Sequence, residues 1–241
     1  AIMLVFQAGL LAWPVAVLYR SYGHIPAFAY CLYFPIWYNA LFDFHIDHMA
    51  VAFLFAFFFL EKANRLRAAV GMALLLALVK EPYAAQTIFC GLYLILFRKK
   101  YLAGMVLVLV GSAYFWVMSQ YFIPYARIDG IEELAVNEPV VNPYGWLGST
   151  PLESFRFVLT QPHLVLAEIA TNSGKLLYLL YTLGALGFIS LLRPRYIFVA
   201  IPIFGMSLLS QVSNHYGFMN HYTAGLIAPL ILGFSEGLPV A

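Results

Sequence analysis

An all-α fold, a polytopic integral membrane helical bundle, is the class this sequence predicts, and three observations lead there. Apolar residues make up 63% of the 241 and the mean hydropathy is +0.84, more apolar surface than one soluble core of this size could bury. The apolar residues fall in runs of helical length separated by short polar stretches. Threaded alternately across a bilayer, those stretches sort by charge.

The runs predict about nine spans, at 1–19, 25–42, 48–60, 68–79, 83–97, 101–123, 176–192, 196–212 and 223–234, within one transmembrane domain covering 1–241. The first, AIMLVFQAGLLAWPVAVLY, ends at Arg20. The second runs into FDFHIDH, and the third starts at His48 and stops at EKANRLR. Lys80, Glu81 and Pro82 divide the fourth from the fifth, with proline at a favoured first-turn position. FRKK precedes the sixth, LRPR the eighth and SNHYGFMNHY the ninth. Pro14, Pro35, Pro202 and Pro229 fall inside spans, which is tolerable where neighbouring helices satisfy the carbonyls they free.

Between the sixth and seventh spans lies an outer loop, 124–175, the least apolar part of the chain. Within it Thr150, Pro151 and Glu153 form a helix start: N-cap, first-turn proline and a carboxylate three on. Leu152, Phe155 and Val158 share one side of that helix and Glu153 and Arg156 lie elsewhere, so it is expected to lie in the membrane interface. A second short helix over 163–170 is expected to do the same. Tyr144, Gly145, Trp146 and Gly148 read as an interfacial aromatic anchor or as a lid.

Alternate threading puts RSYGH, EKANRLR, FRKKY and LRPRY on one side, with nine of the thirteen Lys and Arg residues. The positive-inside rule makes that side cytoplasmic. The opposite, extracytoplasmic face then holds nine of the eleven acids and five of the six histidines. The third to fifth spans, at roughly 18 to 23 Å, fall short of about 30 Å of hydrocarbon. If their basic ends sit at the usual interface, Asp43, His45, Asp47, His48, Lys80 and Glu81 line a recess below the outer surface, where ionisable groups must be paired, hydrated or used. The competing reading is a locally thinned bilayer with ordinary loops.

Other classes fall away. A net charge of +2 with no dense basic stripe argues against nucleic acid. Cys31 and Cys90 lie in apolar runs and behave as small hydrophobes rather than metal ligands. The chain opens without an initiator methionine, a basic n-region or a cleavage site, so it is expected to be a piece of a longer protein lacking its N-terminal spans.

Three stretches could carry chemistry. In FDFHIDH a helical backbone puts Asp43 and Asp47 on one face, whereas an extended one aligns Asp43, His45 and Asp47. Either arrangement suits a divalent metal such as Mg, Mn or Zn. The plainer alternative is that the aspartates cap the helix starting near His48. Lys80 and Glu81 form either a buried ion pair or a phosphate-holding cation beside an acid or base candidate. SNHYGFMNHY repeats Asn-His-Tyr, and a bent loop could bring His215 and His221 together, while Tyr216 and Tyr222 suit interface anchors.

With FDFHIDHMA, LALVKEPY, YGWLGSTPLE and HYTAGLIAP in this order, the chain resembles the bacterial and archaeal membrane family filed as domain of unknown function 2079. That family's pattern has FHP followed by an acid where this chain has His45, Ile46 and Asp47, and KED where it has Lys80, Glu81 and Pro82. Ile46 and Pro82 are departures, and the second removes an acid. The family looks remotely similar to the GT-C-type lipid-dependent glycosyltransferases, which implies transfer of a sugar from a polyprenyl-phosphate donor outside the cytoplasm, in the inner membrane. The same resemblance places an essential acid in an outer loop upstream of Ala1. On this reading Asp43, Asp47 and Glu81 are catalytic, and Lys80, His48, Tyr144, His215 and His221 contact substrate. Asp43, His45 and Asp47 would hold a metal, Mg or Mn. The partners are membrane lipid and the lipid-linked sugar. The reading from a different class is a non-catalytic subunit packed against other membrane subunits.

Overall fold

The computed structural model describes residues 2–41, 44–122, 142–217 and 221–240, and the regular elements among them are all helical. The α-helices are α1 (Ile2–Tyr22), α2 (His24–Leu32), α3 (Phe34–Leu41), α4 (His48–Lys62), α5 (Leu66–Ala77), α6 (Glu81–Arg98), α7 (Tyr101–Val117), α8 (Pro151–Thr160), α9 (Pro162–Thr171), α10 (Ser173–Gly184), α11 (Pro194–Leu209) and α12 (Ala224–Gly237). A π-helical turn, Met118–Phe122, extends α7.

Among the described residues each of the nine apolar runs is mainly helical, but they differ in reach. By length and composition two helices can cross a membrane unaided, Ile2–Tyr22 and Tyr101–Tyr121. Their apolar windows are only 22% and 17% buried, so both present greasy surface outward instead of forming the middle of a core. The opposite holds for α12, in which every residue but Glu236 is buried. It is packed among α2, α3, α4 and α11.

Two runs are not single helices. The second breaks at Tyr33, which is extended between α2 and α3, because Pro35 has no N–H to continue the ladder. In the seventh, α10 ends at Gly184. Gly187 and Phe188 then take left-handed backbone, and the Phe188 amide bonds back to the Leu183 carbonyl at 3.1 Å, a Schellman-type stop. The 3₁₀ turn that follows, Ile189–Leu192, lies on α12, where Ser190 donates to the Leu230 carbonyl at 2.8 Å.

The four prolines share one solution. A proline removes its own donor and pushes away the carbonyl four residues back, disturbing the one beside it. The Cys31 carbonyl, four before Pro35, accepts from the Trp37 indole. The Gly225 carbonyl, four before Pro229, accepts from the Gln86 amide at 2.7 Å. Three before Pro14, Leu11 accepts from the Tyr30 hydroxyl at 2.6 Å. Three before Pro202, Val199 accepts from Gln86 at 3.2 Å. One fully buried glutamine on α6 thus serves kinks in α11 and α12. Gln86→Leu leaves both carbonyls without that donor and is expected to cost about 2–4 kcal/mol at roughly 1–2 kcal/mol each, read by denaturant unfolding in micelles.

The helices run between two polar ends. At the end of α1, α4 and α12 rich in Lys and Arg, Glu236 accepts from Lys62 at 3.0 Å, Tyr22 at 3.1 Å and Tyr196 at 2.8 Å, and pairs with Arg195. Nearby, Glu61 pairs with Arg98. Burial alone would raise the Glu236 carboxyl, but hydrogen bonds from Tyr196 and Lys62 and the charges of Arg195 and Lys62 hold it at about 2, below its ordinary 4.5. A depressed carboxyl contributes stability that is complete above the unfolded value and lost as pH falls through the folded one. Acidification from pH 4.5 to about 2 is therefore expected to lower the melting temperature. Glu236→Gln should be less stable at neutral pH and lose that part of the acid dependence.

Candidate functional site: a buried aspartate at the histidine-rich end

The other polar end is built by the starts of α4 and α6, the stretch before α12 and the C-terminal end of α11. The turn entering α4 is tight: the amides of His48, Met49 and Ala50 bond to the carbonyls of His45, Ile46 and Asp47 at 3.2, 3.0 and 3.0 Å. Asp47 stands in the N-cap position but makes no side-chain cap bond. Its carboxylate is committed elsewhere. Oδ1 accepts from the Tyr83 hydroxyl at 2.6 Å. Oδ2 touches His45 Nδ1 and lies 3.6 Å from Lys80 Nζ and 3.9 Å from His221 Nε2.

Asp47 is 2% exposed, whereas the side chains of Lys80 and His45 are 30% and 31% exposed. The cluster is thus a sunken carboxylate under a partly accessible cation and imidazole. Lys80, the extended N-cap residue of α6, and Tyr83, in the first turn of that helix, both reach it. The His45 and His221 rings stack at 3.7 Å. Tyr222 stands 4.4 Å from the His221 ring and 4.7 Å from that of His215, with Lys80 5.8 Å above its own ring. Burial pulls the His221 imidazole down to about 4 against the opposing charge of Asp47. Burial, then the charge of Lys80, lowers His215.

The loop at 142–149 is pinned over this end. Tyr144 donates to the Met206 carbonyl at 3.2 Å, Trp146 to that of Leu209 at 2.8 Å, and the Gln211 amide to that of Pro143 at 2.8 Å. Trp146 also meets Phe157 of α8 edge-on at 5.6 Å. Burial above all, with Glu81 and Tyr222 adding to it, pushes the Tyr144 phenol up to about 12. The start signal before α8 works as its residues suggest: Thr150 accepts from the Glu153 amide at 3.2 Å, and Glu153 accepts from the Ser149 amide and hydroxyl at 2.8 Å. Leu152, Phe155 and Leu159 then form an exposed stripe along α8.

Of the residues singled out in the sequence, Asp47, His45, Lys80 and His221 meet directly, and His215 joins through Tyr222. Glu81 follows Lys80 as the first residue of α6, and Tyr144 lies in the pinned loop. His48 is wholly buried behind the cluster. Asp43 lies outside the described residues. Tyr83 was not singled out, and its place in an apolar run gave no sign of its bond to Asp47. Lys175 was missed too: it is fully buried in the first turn of α10, held by Glu168 at 3.0 Å and 5.7 Å from the Tyr216 ring. The helix dipole opposes a cation there, so Glu168 is what keeps it in place.

His45, Asp47 and His221 each offer one donor atom, all within 4.8 Å of one another, an arrangement that could hold a metal ion. The expected set was Asp43, His45 and Asp47, and His221 is the ligand that reading did not include. An apolar groove of about 480 Å³ runs between α1 and α2–α3, lined by Leu4, Ala8, Leu11, Val15, Tyr30 and Ile36 with Gln7 among them. Gln7 donates to the Asn39 carbonyl at 3.4 Å, and Asn39 donates to Thr223 at 3.0 Å. This polar string leads from the groove to the turn that carries His221.

A family model described as predicted membrane protein, DUF2079, matches residues 1–240. The chain belongs to this family. Among curated proteins and among solved structures, nothing matches it. The stretches of this DUF2079 chain around Asp47, Lys80, Tyr144 and His221, remote in sequence, are thus gathered at one end of one helical assembly.

Proposed function

We propose that this chain is a membrane glycosyltransferase-like protein, folded as a nine-span bundle, that transfers a sugar from a polyprenyl-phosphate donor on the extracytoplasmic side of the inner membrane. The observation that carries the reading is the convergence of Asp47, Lys80, His45 and His221 beneath a pinned aromatic loop, at the end opposite the Lys and Arg cluster. Lys80 holds the donor phosphate as a point charge, and Asp47 with Tyr83 fixes Lys80. Glu81 takes the proton from the acceptor hydroxyl as that oxygen bonds the sugar's anomeric carbon. The bond from that carbon to the phosphate oxygen breaks, and the polyprenyl phosphate leaves with the electron pair, its charge met by Lys80. His215, His221 and Tyr144 line the sugar subsite, and the groove beside α1 accepts part of the isoprenoid tail.

The test is transfer of radiolabelled sugar from polyprenyl-phosphate donors by the intact protein in proteoliposomes. Loss of transfer in Lys80→Ala and Glu81→Gln is expected, and full transfer by an Asp47→Ala, Lys80→Ala double variant removes the assignment. One observation favours a second reading, a non-catalytic subunit of a larger membrane complex: Asp47 is already compensated from within by Tyr83, Lys80 and His45, as in a purely structural cluster. A native mass spectrum with a stoichiometric protein partner, together with no transfer, supports that alternative.

A further inference from the structure

We propose that His45, Asp47 and His221 bind one divalent transition-metal ion, with zinc strongly preferred over magnesium. The proposal deepens the reading above, naming a cofactor for the same site, and it is tested by binding without turnover, so the two can fail separately.

Four features carry it. One donor atom from each of His45, Asp47 and His221 lies within 4.8 Å of the others, and Asp47 Oδ2 faces both His45 Nδ1 and His221 Nε2. A tetrahedral zinc site with bonds of about 2.0–2.1 Å separates its ligands by roughly 3.3 Å, so the 3.9 Å between Asp47 Oδ2 and His221 Nε2 needs a small closure, while His45 Nδ1, in direct contact with Oδ2, has to draw back. Second, Tyr83 occupies Oδ1 at 2.6 Å, leaving Oδ2 as the oxygen turned toward both imidazoles, the outer-shell orientation that metal carboxylates use. Third, two imidazoles with one carboxylate is a donor set for zinc and its neighbours and leaves coordination positions open, whereas magnesium prefers oxygen ligands in near-ideal octahedra. Fourth, His45 sits in the turn before α4 with 31% of its side chain exposed. Its ring has room to leave the stack on His221 and aim Nδ1 at the ion. Lys80, 3.6 Å from Oδ2, is the cation the ion would compete with for that oxygen.

The experiment uses tag-free intact protein in detergent, stripped with chelator and dialysed against zinc. Bound metal is counted by mass spectrometry, and affinity is titrated with cobalt as a coloured stand-in. About one zinc per chain is expected, with His45→Gln and His221→Gln each weakening cobalt binding by at least about tenfold and Tyr83→Phe by about tenfold. Lys80→Met should tighten it. Roughly hundredfold excess magnesium should leave the zinc in place. His45→Gln is the variant least able to disturb folding, because its side chain is partly exposed, and its melting curve checks this. Zinc uptake that is unchanged in both histidine variants, or zinc displaced by equimolar magnesium, overturns the proposal.

Discussion

Asp47→Ala is expected to destabilise the folded protein by about 3 kcal/mol, the lower end of the range for removing one partner of a buried ion pair. The residue is 2% exposed, and its removal leaves the Tyr83 hydroxyl without an acceptor and Lys80 without its counter-charge. Lys80, 30% exposed, recovers some hydration by turning outward, which is why the loss should not reach the top of that range. Asp47→Asn retains an acceptor for Tyr83 and should lose less. Lys80→Met in the Asp47→Ala background should restore part of the loss, because the stranded cation goes with it. Denaturant unfolding in micelles measures all three variants on one scale.

Gly91→Val is expected to cost about 3 kcal/mol or more, as an overpacking substitution against backbone that cannot swing away. A Cβ at Gly91 would stand 2.6 Å from the Gly104 carbonyl oxygen and 2.9 Å from the Val108 amide nitrogen, and a Cβ at Gly104 would stand 2.6 Å from the Gly91 oxygen. The α6 and α7 backbones approach through these two glycines, the close packing that small residues allow between helices in lipid. The damage would pass along α6 to Tyr83 and Gln86. Gly71→Ala is the control. Nothing lies within 4 Å of a Cβ there, so the gain in helix propensity should leave the protein unchanged or more stable by up to about 1 kcal/mol.

Most helices were legible in the sequence because apolar runs and polar punctuation carry them. Two runs misled where one local residue overrode the pattern. Pro35 splits the second, and the left-handed pair Gly187 and Phe188 stops the seventh, although both stretches remain apolar throughout. That each buried proline needs an outside donor was foreseeable from backbone chemistry. Which side chains supply it was not, since Tyr30, Trp37 and Gln86 are chosen by how helices lie against one another. The meeting of Asp47 with Lys80 and the histidines was expected from short helices and charge sidedness. Its internal order was not: Asp47 could as well have capped α4, and only the position of Tyr83 across from it decides the matter. Lys175 stayed invisible because a lone lysine in a polar loop carries no mark of burial.

The histidine-rich and the basic ends of this bundle are expected to face opposite sides of a membrane. In a background with Cys31 and Cys90 replaced by alanine, single cysteines at Ser213, before His215, and at Lys99, after α6, report each end. A membrane-impermeant maleimide applied to intact cells is predicted to label Ser213→Cys at once, and Lys99→Cys only after the membrane is opened. Equal labelling of both positions in intact cells, or protection of Ser213→Cys while Lys99→Cys reacts, contradicts it.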